Sequence, residues 1–274
     1  MQPVEIKKDI FWVGCVDYDH RDFHGYSRSP EGSTYNAYLI RDEKNVLMDT
    51  VYPGWAGNML CRIAKIMDPE KIDYIVCNHI EPDHSGAMPF LMEKIQPEKV
   101  FCSKMGHRML LDHFHQPDWP YHVVSGGEEI SLGKRTLSFL ETRMLHWPDS
   151  MFTYLKEDQI LFTSDAFGEH LATSERFDDE VEQGVLMHEA TKYYANILNL
   201  YSPLVKKLLA KVEEMQLPIR MLAPDHGVVW RSNPARIIES YGRWCNQQGN
   251  GKALVIYDTM WESTRTMAKA VCEG

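Results

Sequence analysis

Seven side chains able to bind a metal stand at the ends of four apolar runs. The stretch HIEPDHSG, residues 79–86, supplies His79, Glu81, Asp83 and His84, while LETRMLHWPD supplies His146, ILFTSDAFG supplies Asp165 and MLAPDHG supplies His226. Each apolar run reads as a strand ending in a turn or a breaker, and α/β proteins gather their ligands at the C-terminal ends of strands. A single His-x-Glu pair would be read as an ordinary polar loop. Seven ligand types at four strand ends point instead to a metal site. The set contains four histidines, three carboxylates and no thiolate, and two metal ions sharing one bridging carboxylate would use all of it. Without a thiolate, soft metals are disfavoured, and three anionic oxygens move the choice towards iron or manganese. Zinc binds imidazole and carboxylate as well, and more tightly than iron in the usual order, so ligand type tilts the choice without settling it.

The elements that must position these residues follow from hydrophobic periodicity. VEI, IFWVGCV, NAYLIR and NVLMDT are short β-rich runs with turns between them, as in antiparallel hairpins. From residue 56 the period changes: AGNMLCRIAKIM and GAMPFLMEKI read as amphipathic helices around the buried strand KIDYIVCN, and KVFCS with KMGHRMLLDHF repeats the step. Pro82 should end the strand ladder and make the residues after His79 an irregular loop, with Ser85-Gly86 opening the next helix. YHVVSGGEEISLGKRTLSFLETR and MFTYLKEDQILFTSD read as further hairpins, the second turning at Asp158-Gln159. Two helices follow, with Pro203 near the start of the second, and then the strand RMLAPDHG and a helix from Pro234. Hairpins, βα units, hairpins and βα again predict two mixed sheets packed together with helices outside, an α/β fold.

The chain is long enough, at 274 residues, to bury a large core, and its formal charge of -10 disfavours nucleic acid or an anionic membrane surface as a partner. No apolar run reaches the length of a membrane span, and the N-terminus lacks the pattern of a signal peptide. Cys15, Cys61, Cys77, Cys102, Cys245 and Cys272 form no C-x-x-C pair and read as reduced core residues, which implies a cytoplasmic location. NQQGNGK, residues 246–252, reads as a linker. Residues 1–249 are then one domain, and residues 250–274, with KALVIYD as a buried parallel strand and TMWESTRTMAKAV as a loop entering a helix, are the start of a second that stops before it can bury a core.

The pattern H-x-[HE]-x-D-H at residues 79–84, followed by His146, Asp165 and His226, resembles the metallo-β-lactamase superfamily. Hydrolytic members carry a second histidine where this chain has Glu81. That glutamate, HWPDSM after His146 and YDTMWEST after the linker make the sequence similar to the flavodiiron proteins over nearly its whole length. The resemblance implies an αββα sandwich with a non-haem diiron centre, followed by a flavodoxin-like FMN domain. It assigns His79, Glu81 and His146 to one iron and Asp83, His84 and His226 to the other, with Asp165 between them; His84 either ligates or stands behind the metal. It further implies reduction of O2 to water, or of NO to N2O, with electrons from rubredoxin relayed by FMN, and a head-to-tail homodimer. Thr259, Met260, Trp261, Glu262, Ser263 and Thr264 resemble the flavodoxin phosphate loop, whose N–H groups and hydroxyls at a helix start suit a phosphate. The rival readings are a dinuclear zinc hydrolase of the same fold, which Glu81 argues against, and a binding module without catalysis.

Four further residues are expected to line the substrate pocket: His24 and Tyr26 in the long loop of residues 17–35, His170 after DAFGE, and Tyr193. Trp147 either shields the site from water or simply packs. His107, His113, His115, His122 and His188 have no companion ligands and read as structural.

Overall fold

The computed structural model of the chain describes residues 2–23, 25, 27–249 and 251–274. Seven strands form the first sheet, in the order Val4–Lys7, Ile10–Trp12, Tyr38–Ile40, Val46–Met48, Tyr74–Cys77, Lys99–Cys102 and Tyr121–Val123. The first four are antiparallel neighbours, and from Val46–Met48 onward the pairing is parallel. The second sheet runs Glu129–Ser131, Thr136–Glu141, Met151–Leu155, Ile160–Phe162 and Met221–Ala223, antiparallel except for its last pair.

Strict alternation of side chains along each strand builds the layers. Ile10, Trp12, Tyr38, Ile40, Val76 and Phe101 face Leu137, Phe139, Met151, Ile160 and Phe162 between the sheets. The intervening Leu39, Leu47, Ile75 and Cys77 turn outward onto Met59, Ile63, Met88 and Leu91 of the helices Ala56–Ala64 and Met88–Ile95. On the other side Phe152, Leu161 and Leu222 meet Leu186, Ala190, Leu208 and Tyr241 from the helices Gln183–Tyr193, Ser202–Glu214 and Pro234–Cys245. The result is the αββα sandwich expected, and Pro203 does lie in the first turn of its helix.

Three local expectations change. Tyr121–Val123 does not form a hairpin with Glu129–Ser131; it extends the parallel edge of the first sheet, and the hairpin turn falls instead at Gly133, whose φ is +112°. The Gly126-Gly127 pair carries the chain from one sheet to the other. KALVIYD forms no strand: Leu254 and Ile256 are more than four-fifths exposed, and a buried parallel strand needs hydrogen-bonded neighbours that residues 2–249 do not offer it. The helix after it does form, over Ser263–Glu273. All six cysteines are free, but Cys61 and Cys272 are exposed rather than core residues. No helix among the described residues is long and apolar enough to cross a membrane.

Candidate metal centre

His79 lies two positions beyond the strand Tyr74–Cys77, and the four residues after Glu81 are not an irregular loop. Pro82–Ser85 makes one helical turn with proline at its start, where its missing N–H costs nothing. That turn puts Asp83 and His84 on one short rigid element. Thr50 fixes it from the side, its N–H and hydroxyl both donating to the His84 carbonyl, and the Ser85 hydroxyl donates to the Ile80 carbonyl. His226 lies in the loop after Met221–Ala223, clamped by the segment 33–38. The Tyr38 hydroxyl and the Asn36 amide donate to the Pro224 carbonyl, and the Gly227 N–H donates to the Thr34 hydroxyl. Gly227 has φ +80°, and a Cβ there would lie 2.1 Å from the Glu169 carboxylate, so only glycine follows His226.

All seven predicted residues come together in two groups. His79, Glu81, His146 and Asp165 each present a ligand atom within 4.8 Å of the others, and Asp83, His84 and His226 do the same. Asp165 joins the groups through its two oxygens. Oδ2 lies 2.8 Å from His146 Nε2 and 3.4 Å from His79 Nε2, whereas Oδ1 lies 3.1 Å from His84 Nε2 and 3.5 Å from His226 Nε2. Glu81 Oε2 completes the first group at 3.2 Å from both His79 and His146, and Asp83 Oδ2 completes the second at 3.3 Å from His84 and 3.2 Å from His226. Four histidine nitrogens and three carboxylates thus converge through the same type of atom, each group with two imidazoles, one carboxylate of its own and one shared oxygen.

The donor set fits cations. Both oxygens of Asp83, both nitrogens of His84 and Asp165 Oδ1 are buried without a hydrogen bond, a costly arrangement for protein groups on their own and the natural one for atoms that share a metal. Electrostatics agree. Burial opposes charge on His84 and His146, yet the surrounding carboxylates raise them to about 10 and about 9. Burial likewise works against an ionised Asp165, but His84, His146 and His79 hold it well below the usual carboxylate range. Protons and metal ions therefore compete for the nitrogens of His84 and His146, which hold a proton at neutral pH, and metal affinity is expected to rise as the pH increases from 7 towards 9. Zinc titrations at two pH values check the sign.

A second ring of groups was not singled out from the sequence. Asp149, three residues after His146, accepts from His79 Nδ1 at 2.9 Å and from the Ile80 N–H at 2.6 Å, fixing the tautomer that leaves His79 Nε2 for a metal. Asp149→Ala is expected to weaken metal binding at the His79 group about 10–100-fold. It should also cost about 1–3 kcal/mol in urea unfolding, because the Ile80 N–H is left buried and unpaired. Ser33 lies 2.9 Å from His170 Nδ1, and the Thr34 carbonyl accepts from His226 Nδ1 at 2.6 Å. The only sequence signal for Asp149 was its place in a Pro-containing loop beside a ligand.

The other expected residues divide. His170 and Tyr193 reach the centre: the His170 ring lies 4.9 Å from both Tyr193 and His226, and stacks on Phe23 at 4.0 Å. Burial pushes the Tyr193 phenol well above its ordinary range, so it remains a donor. His24 and Tyr26 lie outside the described residues. Trp147 packs edge-on against His79, with ring centres 5.3 Å apart. Thr259 to Thr264 lie at the start of the helix Ser263–Glu273, with Met260 and Trp261 more than four-fifths exposed.

Comparison with known proteins places this geometry in a family. The family model described as "ODP family beta lactamase" matches residues 34–227. The nitric oxide reductase of Moorella thermoacetica is 49% identical over the whole chain, which covers 69% of that protein. The rubredoxin-oxygen oxidoreductase of Megalodesulfovibrio gigas is 44% identical, again over the whole chain and 69% of the relative. Among solved structures, the rubredoxin oxygen:oxidoreductase from Desulfovibrio gigas superposes with a TM-score of 0.97 at 44% identity, over 99% of this chain and 68% of that one. The flavodiiron protein from Giardia intestinalis gives 0.93 at 37% identity, over 99% and 66%. The chain therefore belongs to the ODP beta-lactamase family and, within it, to the flavodiiron proteins.

Proposed function

We propose that this chain is the metal-bearing part of a diiron oxidoreductase that reduces O2 to water or NO to N2O, with His79, Glu81 and His146 holding one iron, Asp83, His84 and His226 the other, and Asp165 bridging. The observation that carries the reading is Asp165, whose two oxygens each face one group of ligands in a chain close to half identical to a nitric oxide reductase and a rubredoxin-oxygen oxidoreductase. A dinuclear zinc hydrolase of the same fold is not favoured: these relatives are named as reductases, and the third position of the first group is a glutamate.

Two ferrous ions held by these residues would supply two electrons to a diatomic gas, and the further two that O2 requires would come from the redox donor proposed below. The chain's own residues do the rest. The ligand atoms of Glu81, Asp83 and His146 belong to the more accessible side chains of the set, about one-tenth exposed against 0–2% for the others, so a small gas enters on their side. His170 and Tyr193 are buried beside His226, where a neutral phenol and a histidine tied to Ser33 can donate hydrogen bonds. Reduction of O2 to two waters consumes four electrons and four protons, and reduction of two NO to N2O and water consumes two of each. His24 and Tyr26 are proposed as further pocket residues.

Residues 1–249 are proposed as the diiron domain and 250–274 as the start of a flavodoxin-like domain whose loop Thr259–Thr264 contacts FMN phosphate. The support is a run of hydroxyls at a helix start and relatives half as long again as this chain. Rubredoxin as donor, a head-to-tail homodimer and a cytoplasmic location complete the proposal. The relative's name supports the first, and six free cysteines are consistent with the last. The test is anaerobic loading with iron(II) and reduction by reduced rubredoxin with FMN present. Consumption of O2 or NO supports the proposal, and an iron-loaded, reduced chain that consumes neither gas overturns it.

A further inference from the structure

The histidines of the centre are not equally supported. His79 Nδ1 is bonded to Asp149 at 2.9 Å and His226 Nδ1 to the Thr34 carbonyl at 2.6 Å. His84 Nδ1 has no hydrogen bond, and the carboxylate oxygen Asp225 Oδ2 lies 3.7 Å from it. Asp225 is itself 1% exposed, and neither of its carboxylate oxygens accepts a hydrogen bond. Its main chain is held on both sides, the N–H donating to the Ser164 carbonyl at 2.8 Å and the carbonyl accepting from the Asn36 N–H at 2.7 Å. The carboxylate is therefore aimed at His84 by a rigid backbone. Asp49, another buried carboxylate behind the centre, is already engaged, since both its oxygens are bonded to Asn78, at 2.7 and 2.6 Å.

On the reading that the centre binds two metals, we propose that Asp225 is the positioning residue that makes His84 a ligand. Its carboxylate accepts the Nδ1 proton of His84, selects the tautomer whose Nε2 lone pair points at Asp83 and Asp165, and draws the ring into line. A movement of roughly 0.5–1 Å brings the 3.7 Å approach into hydrogen-bond range. This is the relation that Asp149 already has to His79, made with the same pair of atom types. The second group thus has one ligand fixed by a main-chain carbonyl and one by a carboxylate that engages only when the imidazole turns inward.

The test is zinc(II) titration of the full chain against a competing chromophoric chelator, which resolves two binding steps. Asp225→Ala is expected to weaken the second equivalent about 10–100-fold and the first by less than about threefold. His84→Ala should weaken the second equivalent comparably, and adding Asp225→Ala to it should cost no more than about a further twofold, because both act through one contact. Asp225→Asn, which keeps an oxygen acceptor, should recover most of the loss. Unchanged second-equivalent affinity in Asp225→Ala, or additive losses in the double variant, would overturn the role of Asp225. A wild-type chain that takes up fewer than two zinc ions overturns the two-metal reading itself. Nitrogen-15 imidazole spectra of the zinc-loaded wild type give a readout that needs no variant. Nδ1–H with zinc on Nε2 of His84 is expected, and an Nε2–H tautomer contradicts the proposal.

Discussion

Asp165→Ala is expected to leave a folded chain that binds at most one metal ion per molecule and reduces neither gas, with activity down by at least about 100-fold. Losing a supporting residue of a metal ligand already costs 10–100-fold, and Asp165 faces both groups directly. It is the only carboxylate among the described residues with one oxygen towards each group, within 3.5 Å of four imidazoles. Without it, four histidines crowd a buried space with only Glu81 and Asp83 to balance two divalent ions. Asp165→Asn separates shape from charge, since the amide fills the same space but carries no negative charge to share. Metal analysis of purified variants reads the result, and two tightly bound metals in Asp165→Ala would show that the bridge is not needed to assemble the centre.

The second large effect is on stability. The seven ligands come from the C-terminal ends of strands in both sheets, so metal binding would tie the two halves of the sandwich together through a set that includes Asp83, His84 and Asp165 Oδ1, which are buried without hydrogen bonds. A ligand that binds only the folded chain stabilises it by about 4 kcal/mol when present at a thousand times its dissociation constant. For a domain of this size each kcal/mol moves the midpoint of melting by about 2–4 °C. Saturation of a single metal site should therefore raise Tm by roughly 8–16 °C, and a chelator should remove the gain. The Asp165→Ala variant, left with at most one metal ion, should gain clearly less from added metal than the wild type. Equal melting temperatures of wild type with iron(II) and with chelator would mean that metal and fold are not coupled.

The sequence made the layers and the ligands legible for the same reason: both depend on short-range pattern. Alternation in DYIVCN and ILFTSD places successive side chains on opposite faces, and the residue after such a run must emerge at a sheet end. Four such ends carrying ligand types could be recognised without knowing how the strands pair. Pairing itself was less legible. YHVV and EEIS are short β-rich runs around Gly-Gly, which is how a hairpin reads. They belong to different sheets because Tyr121–Val123 finds a parallel neighbour in Lys99–Cys102, a contact set by the fold and absent from the local pattern.

Asp149 and Asp225 show a different limit. In sequence, the first is one acidic residue in HWPDS and the second one in APDHG, with nothing to distinguish them from surface aspartates. Their role depends on a distance to His79 and to His84 across the sandwich, 70 and 141 positions away in the chain. KALVIYD fails for a third reason: its composition is that of a buried strand, but a strand is a property of a pair, and the described residues provide no partner.

The most direct test of the central claim is the Mössbauer spectrum of the full chain loaded with iron-57 and then oxidised. Two ferric ions linked through Asp165 predict two irons per chain and a single antiferromagnetically coupled pair with no magnetic splitting at low temperature. One iron per chain, or two magnetically isolated ferric ions, would contradict the shared-carboxylate centre on which the account rests.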